Sequence, residues 1–451
     1  MKPETLHRVH FLGIGGIGMS ALARYLNSAK VSVTGYDKTP TSLTDELIKE
    51  GISIHFEDKP DLITNEIDLV IYTPAIPKDL EELNKAKQLG LSVMKRSQLL
   101  EMITANHSTL AVAGTHGKTT VSTMLAHILY SSEVGCTAFL GGIAKNYNSN
   151  LLLNLSSNSM VAEADEFDRS FLKLHPRMAV ITSTDADHLD IYQNHENLLS
   201  SFAEFVSNIE KDGYLLIKAG ISLPLSDSGI IHKFTYSLAP GADFYITDLK
   251  LLEGRYQFNL QTPDSTIQGF YPSLPGLFNV ENAIAAASAA YLFGIDPNVI
   301  VNSINNFIGV KRRFDHRINK KDFLFIDDYA HHPEELKACI NSVKKIYPER
   351  KITGIFQPHL YTRTRDFAQE FAQSLSLLDN LILLDIYPAR ELPIEGINSQ
   401  MLLDITPAKN KILLPKGEVI NYLKDNKPDI LLTLGAGDID KLVPEIEEFF
   451  S

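Results

Sequence analysis

The residues STLAVAGTHGKTTVSTMLAHILY, from Ser108 to Tyr130, decide how the middle of the chain folds. An apolar β-rich run passes into a glycine-rich turn, and a long helical pattern begins at Lys118. At such a turn the backbone N–H groups hold phosphates, the lysine meets the β- and γ-phosphates, and the next hydroxyl holds Mg²⁺. Val112 stands where the general GxxxxGK[ST] pattern has its first glycine. A phosphate site is therefore predicted over Gly114–Thr119, with a plain strand-to-helix turn as the alternative.

Composition limits the classes of function. The 451 residues are 44% hydrophobic and 22% charged, which suits several packed domains. A net charge of -13 argues against a general nucleic-acid surface, because phosphate backbones require clustered cations. Cys136 and Cys339 form no CxxC pair and fit a reducing compartment. Without a signal-peptide pattern or an apolar run of about 18 residues, the chain is expected to be cytoplasmic with no membrane span.

Three successive series of strand and helix patterns divide the chain. The first begins at Arg8, the second with the strand before the GKT turn, and the third beyond GVKRRFD, near Lys311. Alternation of strands and helices is typical of parallel sheets. We predict an α/β fold of three domains with mostly parallel sheets, over residues 1–105, 106–311 and 312–451.

A second glycine-rich turn, from Gly13 to Gly18, follows the first strand, and Asp37 ends the next strand. The pattern matches the dinucleotide-binding fingerprint, in which an acidic residue contacts a ribose. A nicotinamide cofactor and a UDP-sugar satisfy the same backbone donors. An NAD-dependent oxidoreductase is therefore one alternative function, and a tight turn without a ligand is another.

Two acidic clusters follow apolar strands of the second series. They are EADEFD at Glu163–Asp168 and DADHLD at Asp185–Asp190. Strand ends beside a phosphate-binding turn are where Mg²⁺ ligands belong, because this ion prefers oxygen ligands and shares them with phosphate. Solvated loop charge is the alternative for each cluster, and the occurrence of both favours a metal site.

The third series ends two strands with histidine and arginine, in DDYAHHP at Asp327–Pro333 and QPHLYTRTR at Gln357–Arg365. An arginine grips a carboxylate through two N–H groups, and a neutral imidazole accepts an amine proton. These stretches favour recognition of an amino acid. The isolated histidines are instead predicted to be structural, namely His10, His55, His127 and His232.

The chain resembles the Mur ligase family over essentially its whole length. The resemblance rests on the order of the motifs HFLGIGGIGMSALA, GTHGKTT, EADEFDRSFL, DADHLDIY, NVENAIAA, GVKRRFD, DDYAHHP, QPHLYTRTRD, DIYPARE and GAGD. It implies a Rossmann-like N-terminal domain for a UDP moiety, a central P-loop ATPase domain and a Rossmann-like C-terminal domain for an incoming amino acid. It also implies an ADP-forming ligase of peptidoglycan synthesis that uses ATP and Mg²⁺ or Mn²⁺.

The resemblance assigns roles to individual residues. The UDP-sugar site comprises Gly13, Gly15, Gly16, Gly18, Asp37, Thr73, Ala75, Glu166 and Asp168. The ATP site comprises Gly114, Thr115, His116, Gly117, Lys118, Thr119, Thr120, Asn279, Asn282 and Arg313. The metal ligands are Thr119, Glu163 and His188, and the amino-acid pocket holds Tyr329, His331 and Arg363. The catalytic residues are Lys118, His331 and Arg363.

Within the family, the residues of these motifs most resemble those of members that add L-alanine to the lactyl carboxylate of UDP-N-acetylmuramate. Such members act through an acyl phosphate. A member that recycles a murein tripeptide onto the same sugar nucleotide is the nearest alternative. Leu360 stands where such ligases often have arginine, so selectivity for alanine over glycine or serine stays open. The expected partners are these small molecules, and the protein is expected to be a monomer or a homodimer.

Overall fold

A computed structural model describes residues 5–77, 79–186, 189–225, 232–389 and 391–451. Across these described residues the chain has an α/β fold with three sheets of five, ten and six strands, and the prediction of this class is confirmed. The first compact unit comprises Met1–Leu249, Gln257–Pro272 and Glu281–Phe307, and the second comprises Lys250–Tyr256, Ser273–Val280 and Ile308–Ser451. The five-stranded sheet lies in the first unit, as does the ten-stranded sheet except for Lys250–Tyr256. The exact limits of the three domains stay predictions.

The five-stranded sheet has the order β3-β2-β1-β4-β5, and all neighbours run parallel. Its central strand, RVHFL, is buried from Val9 to Leu12, as expected for a parallel strand covered on both faces. The elements are β1 Arg8–Leu12, α1 Ile17–Ser28, β2 Ser32–Tyr36, α2 Ser42–Lys49, β3 Ser53–His55, β4 Leu69–Tyr72, α3 Glu81–Gln88, β5 Ser92–Lys95 and α4 Arg96–Thr104.

The ten-stranded sheet has the order β15-β14-β13-β12-β11-β10-β6-β9-β7-β8. Antiparallel pairs occur toward its edges, between β14 and β15 and between β7 and β8. Its elements are β6 Ser108–Ala113, α5 Lys118–Tyr130, β7 Thr137–Ala144, β8 Ser149–Leu152, β9 Ser159–Glu163, β10 Met178–Ile181, α6 Leu189–Tyr192, α7 His195–Ser207, β11 Tyr214–Lys218, β12 His232–Ser237, β13 Phe244–Leu252, β14 Arg255–Gln261 and β15 Thr266–Phe270. The helices α8 Leu277–Leu292 and α9 Pro297–Asn306 follow.

Helix α5 is buried on nearly all sides, since every residue from Thr119 to Leu129 is buried. A helix with buried residues on every side lies in a protein interior. Its preceding strand β6 lies between β10 and β9 in the middle of the sheet. The GKT turn directly follows β6 and therefore lies at the carboxyl edge of the sheet, where ligands of open α/β sheets bind.

The six-stranded sheet has the order β16-β17-β21-β18-β19-β20. Only the edge pair β16 and β17 is antiparallel among its described pairings. Its elements are β16 Asp315–Lys320, β17 Phe323–Asp328, α10 Pro333–Ile346, β18 Ile352–Phe356, α11 Tyr361–Asp366, α12 Ala368–Leu375, β19 Asn380–Leu383, α13 Ser399–Ile405, β20 Asn410–Leu413, α14 Val419–Asp425, β21 Ile430–Leu434 and α15 Leu442–Phe450. Among the helices in the described ranges, none has both the length and the apolar character needed to cross a membrane.

Candidate active site

The GKT turn is held by residues that follow the neighbouring strand β10. The hydroxyl of Ser183 accepts the backbone N–H of His116 at 2.7 Å, and its carbonyl oxygen accepts the N–H of Thr115 at 3.2 Å. Gly114 has a φ of +140°, and a Cβ there would lie 2.2 Å from Thr182 Oγ1, so a larger residue does not fit. The sheet therefore fixes the turn at the N-terminus of α5, where backbone N–H groups favour phosphate.

Lys118 is oriented by two acceptors. Its Nζ donates to the carbonyl oxygen of Gly114 at 2.7 Å and to Glu166 Oε1 at 2.9 Å. Burial opposes the positive charge, but the carboxylates of Glu166, Asp165 and Glu163 outweigh it and raise the pKa of the Lys118 amine. Burial raises the pKa of Glu166, although the lysine acts in the opposite direction. The lysine thus stays cationic at the start of α5.

The predicted metal ligands Thr119 and Glu163 lie together. Thr119 Oγ1 donates to Glu163 Oε1 at 3.1 Å, because Glu163 ends β9 beside β6. A hydroxyl and a carboxylate are ligands that suit Mg²⁺. The third predicted ligand, His188, lies outside the described residues, as does Asp187.

Two other carboxylates of the EADEFD stretch lie at different positions. Glu166, predicted to contact the UDP-sugar, is fully buried against Lys118. Asp168, with the same predicted role, accepts the backbone N–H of Ser170 at 3.1 Å, at the start of a 3-10 turn. The structure therefore places Glu166 at the GKT turn and Asp168 at the loop that follows β9.

The two asparagines predicted to face adenine fall in different compact units. Asn282 lies beside the GKT turn, since a Cβ on Gly117 would be 2.9 Å from its Oδ1. Asn279 is 2% exposed, and its side chain donates to the carbonyl oxygen of Pro275 at 2.8 Å. Within the first unit, the structure brings Asn282 to the GKT turn.

The second glycine-rich turn connects β1 to α1 at the carboxyl edge of the five-stranded sheet. Asp37, which follows β2, accepts the backbone N–H of Gly15 at 2.8 Å. Thr73, which follows β4, approaches the same turn, because its Cγ2 is 2.6 Å from where a Cβ of Gly13 would be. Ala75 is exposed two residues further on. The predicted UDP-sugar residues Gly13, Gly15, Gly16, Gly18, Asp37, Thr73 and Ala75 therefore share one edge.

Arg96 is a candidate site residue that the sequence reasoning missed. It begins α4, and a Cβ on Gly18 would lie 2.7 Å from its Nη1. Its Nη2 lies 3.9 Å from Asp165 Oδ2. A guanidinium therefore stands between the N-terminus of α1 and the EADEFD loop. The signal in the sequence is the basic pair after the strand run SVM.

A buried polar contact fastens α1 to the ten-stranded sheet. Asn150 in β8 donates to the carbonyl oxygen of Ile17 at 2.6 Å and to Ser20 Oγ at 2.8 Å. Arg24 in α1 donates to Asn150 Oδ1 and forms an ion pair with Glu50 at 2.7 Å. The glycine-rich turn before α1 is thereby tied to the sheet that carries the GKT turn.

In the second unit, two arginines flank Tyr329. The guanidinium carbons of Arg312 and Arg313 lie 5.0 and 4.9 Å from the centre of its ring. Burial raises the pKa of Asp327 to about 6, although Arg312, 3.7 Å away, acts in the opposite direction. Arg313, predicted to contact ATP, and Tyr329, predicted to contact the amino acid, are therefore neighbours.

His331 lies near the start of α10. Its Nδ1 is 3.1 Å from the carbonyl oxygen of Tyr329 and 3.3 Å from Glu335 Oε2. Two acceptors at Nδ1 favour the tautomer with hydrogen on that atom, so the lone pair of the neutral ring is on Nε2. Arg363 is half-buried in helix α11. That helix begins directly after Leu360, whose φ is +73°.

Comparison with known proteins covers each part of the chain. Residues 8–108 match the model described as Mur ligase family, catalytic domain, and residues 112–290 match the Mur ligase middle domain. Residues 312–437 match the Mur ligase, glutamate ligase domain. A UDP-N-acetylmuramate–L-alanine ligase of Porphyromonas gingivalis is 48% identical over 451 residues, with 98% of this chain and 99% of that protein covered.

Two solved structures agree along the whole chain. A UDP-N-acetylmuramate–alanine ligase of Thermotoga maritima has a TM-score of 0.84 and 26% identity, with 98% of this chain and 99% of that chain covered. A murein peptide ligase of Psychrobacter arcticus has a TM-score of 0.73 and 22% identity, with 98% of each chain covered, which shows the fold alone. From its nearly full-length match to the Porphyromonas protein and the three family models, the chain belongs to the Mur ligase family.

Proposed function

We propose that the chain joins L-alanine to the lactyl carboxylate of UDP-N-acetylmuramate and converts ATP to ADP and phosphate, as a step of peptidoglycan synthesis. The observation that carries the proposal is the start of α5, where Lys118 meets Glu166 and Thr119 meets Glu163. A cation and oxygen ligands at a helix N-terminus suit phosphoryl transfer. The choice of substrates is supported by the Porphyromonas relative, a UDP-N-acetylmuramate–L-alanine ligase.

The sugar nucleotide is proposed to lie on the glycine-rich turn before α1. The N-terminus of α1 offers backbone N–H groups to its phosphates, and Asp37 stands at the position that contacts a ribose in dinucleotide folds. Arg96 adds a positive charge beside Gly18. Because the chain belongs to a ligase family, the backbone N–H groups at the start of α1 are proposed to bind a UDP-sugar and not the nicotinamide cofactor of an oxidoreductase.

In the first chemical step, a lactyl carboxylate oxygen attacks the γ-phosphorus of ATP, the bond to the β-γ bridging oxygen breaks, and ADP leaves. Lys118 neutralises charge on the transferred phosphoryl group from a position fixed by Gly114. Thr119, Glu163 and His188 are the proposed ligands of Mg²⁺, which supplies further charge neutralisation when bound. The product of this step is an acyl phosphate.

In the second step, the amine of alanine attacks the acyl carbon, and phosphate leaves from the tetrahedral intermediate. The attacking nitrogen must lose a proton, and we assign its acceptance to Nε2 of His331. Glu335, 3.3 Å from Nδ1, stabilises the imidazolium that results. Tyr329 and Arg363 are proposed to hold the amino acid, with Arg363 gripping its carboxylate.

The reaction is proposed to occur in the cytoplasm, where ATP is available, and the protein is proposed to act as a monomer or a homodimer. Light scattering after size-exclusion chromatography measures which of the two forms is present with and without substrates.

The deciding experiment measures ADP and phosphate release by the purified protein with ATP, Mg²⁺ and UDP-N-acetylmuramate. L-Alanine, glycine, L-serine and the murein tripeptide are offered separately, and the amide product is identified by mass. Release that depends on alanine is expected. Release with the tripeptide alone would assign the chain to the recycling reaction, and no release with any acceptor would refute the proposed ligation.

The role of His331 has its own test. His331→Ala is expected to lower kcat by about 10²- to 10⁴-fold at saturating alanine, the range for loss of a general base. Glu334→Gln, an exposed change on the same helix, serves as the control and should retain kcat. Full turnover by His331→Ala would refute the proton transfer assigned to His331 but not the proposed ligation.

A further inference from the structure

A buried cluster of two histidines and one glutamate lies between the five-stranded sheet and α3. Glu82, in the first turn of α3, accepts from Nε2 of His10 at 3.0 Å through Oε2 and from Nε2 of His55 at 2.7 Å through Oε1. The side chain of Glu82 is fully buried and that of His10 is 2% exposed. These two histidines were predicted to be structural, and none of the proposed ligase steps uses them.

Carboxylates gather at this cluster. Besides the two imidazoles, Glu82 Oε1 accepts the backbone N–H of Lys59 at 2.8 Å. Asp58 lies nearby and accepts the backbone N–H of Glu82 at 3.0 Å. Two carboxylates, that of Glu82 fully buried, therefore lie where a cation would be attracted.

The donor atoms also converge as metal ligands do. One ligand atom from each of His10, His55 and Glu82 lies within 4.8 Å of the other two. Two imidazoles and one carboxylate suit Zn²⁺ and related transition ions, which bind these atoms at about 2.0–2.2 Å. By contrast, Mg²⁺ prefers oxygen ligands. The cluster therefore differs in chemistry from the Thr119 and Glu163 pair.

The hydrogen-bond partner of His10 fits this role. Its Nδ1 is 2.8 Å from Thr34 Oγ1, in the neighbouring strand β2. Without an ion, Nε2 holds the hydrogen that Glu82 accepts. When a metal ion replaces that hydrogen, Nδ1 holds one and donates it to Thr34, which leaves the lone pair of Nε2 for the ion. Metal-bound histidines commonly have such a partner on the second ring nitrogen. His55, whose side chain is 16% exposed, gives the cluster a route to solvent.

We propose that His10, His55 and Glu82 bind one divalent transition-metal ion of the Zn²⁺ class, with water as the fourth ligand. The ion links β1, β3 and α3. Its neighbourhood reaches the proposed UDP-sugar site, because the carbonyl oxygen of His55 accepts the backbone N–H of Asp37 at 3.1 Å. The bound ion therefore stabilises the edge of the sheet on which Asp37 meets Gly15.

The test uses the full chain, stripped with a chelator and then given Zn²⁺ or Co²⁺ in excess Mg²⁺. Elemental analysis after desalting is expected to find one Zn²⁺ per chain, and Co²⁺ should give the visible absorption of a four-coordinate site. Zn²⁺ should also raise the Tm, since a ligand that binds the folded state stabilises it. His55→Gln should lose all three effects.

Three further variants distinguish a metal site from a purely hydrogen-bonded cluster. His175→Gln, at an exposed histidine, and Glu163→Gln, at the proposed Mg²⁺ site, should keep the Zn²⁺. Thr34→Val should weaken Zn²⁺ binding by about 10- to 100-fold, as for other partners of metal-bound histidines. Wild-type protein that keeps no Zn²⁺, or His55→Gln that keeps as much as His175→Gln, would overturn the proposal. Neither outcome would bear on the proposed ligase activity.

Discussion

Lys118 Nζ lies 2.9 Å from Glu166 Oε1, and the Glu166 side chain is fully buried. The carbonyl oxygen of Gly114 is the second acceptor, at 2.7 Å. One acceptor follows β9 and the other follows β6, so neighbouring strand ends orient the lysine. The protein itself therefore aims the cation that is proposed to neutralise phosphoryl oxygens.

Removal of the Glu166 carboxylate is expected to destabilise the fold. Glu166→Ala should lower the free energy of unfolding by about 3–5 kcal/mol, because a buried ammonium then loses its carboxylate. Glu166→Gln keeps an acceptor oxygen and should lose less. Urea denaturation measures both, with Glu204→Ala on the exposed face of α7 as the control. Equal losses for Glu166→Ala and Glu204→Ala would contradict a stabilising ion pair at Lys118.

Arg96 is predicted to act in sugar-nucleotide binding. Arg96→Ala should raise the KM for UDP-N-acetylmuramate at least about 10-fold, equivalent to about 1.4 kcal/mol, because charged hydrogen bonds contribute about 1.5–3 kcal/mol. The KM for ATP should change little. Steady-state kinetics with each substrate varied in turn measures the two effects. Lys95→Ala removes the adjacent exposed cation and is the control. An Arg96→Ala enzyme with unchanged KM for the sugar nucleotide would refute this role.

The sequence predicted the strands and the GKT turn because each depends on neighbouring residues. Parallel strands buried on both faces are apolar runs, and β1, β6 and β21 are all of this kind. The glycine-rich turns are likewise recognised from a few consecutive residues before a helix. The short strand β3 has only three residues, SIH, and is not fully buried. A strand of that length has too few residues to show a pattern.

Contacts between distant residues were not predictable from such patterns. Asn150 and Arg24 are 126 positions apart, and Glu166 and Lys118 are 48 apart. A single chain does not show which polar residue will be buried opposite which partner. His10 and His55 were predicted to be structural for the same reason, since Glu82, which joins them, has no local signal.

Asn150 is predicted to stabilise the attachment of α1 to the ten-stranded sheet. Asn150→Ala should lower the free energy of unfolding by about 1–3 kcal/mol, because the buried polar groups of Ser20 and Arg24 lose a partner. The KM for UDP-N-acetylmuramate should rise as the turn before α1 loses its support. Thermal denaturation and kinetics measure the two changes, with the exposed Asn158→Ala as the control. A variant at Asn150 as stable as the control would argue that the contact is dispensable.

Asp327 should make stability fall as pH rises through the acid range. Burial, opposed by Arg312, raises its pKa from 3.8 to about 6, so between those values the folded state holds a proton that the unfolded state has released. Stability from this group is therefore complete below about pH 4 and is lost by about pH 6, a change of about 3 kcal/mol. Asp327→Asn keeps an acceptor for Thr433 and should reduce the slope by this contribution, whereas the exposed Asp425→Asn should leave the slope unchanged. The remaining slope comes from Asp328, whose pKa burial also raises to about 6. Urea denaturation at several pH values measures the slopes, and parallel curves for wild type and Asp327→Asn would show that the carboxyl of Asp327 titrates normally.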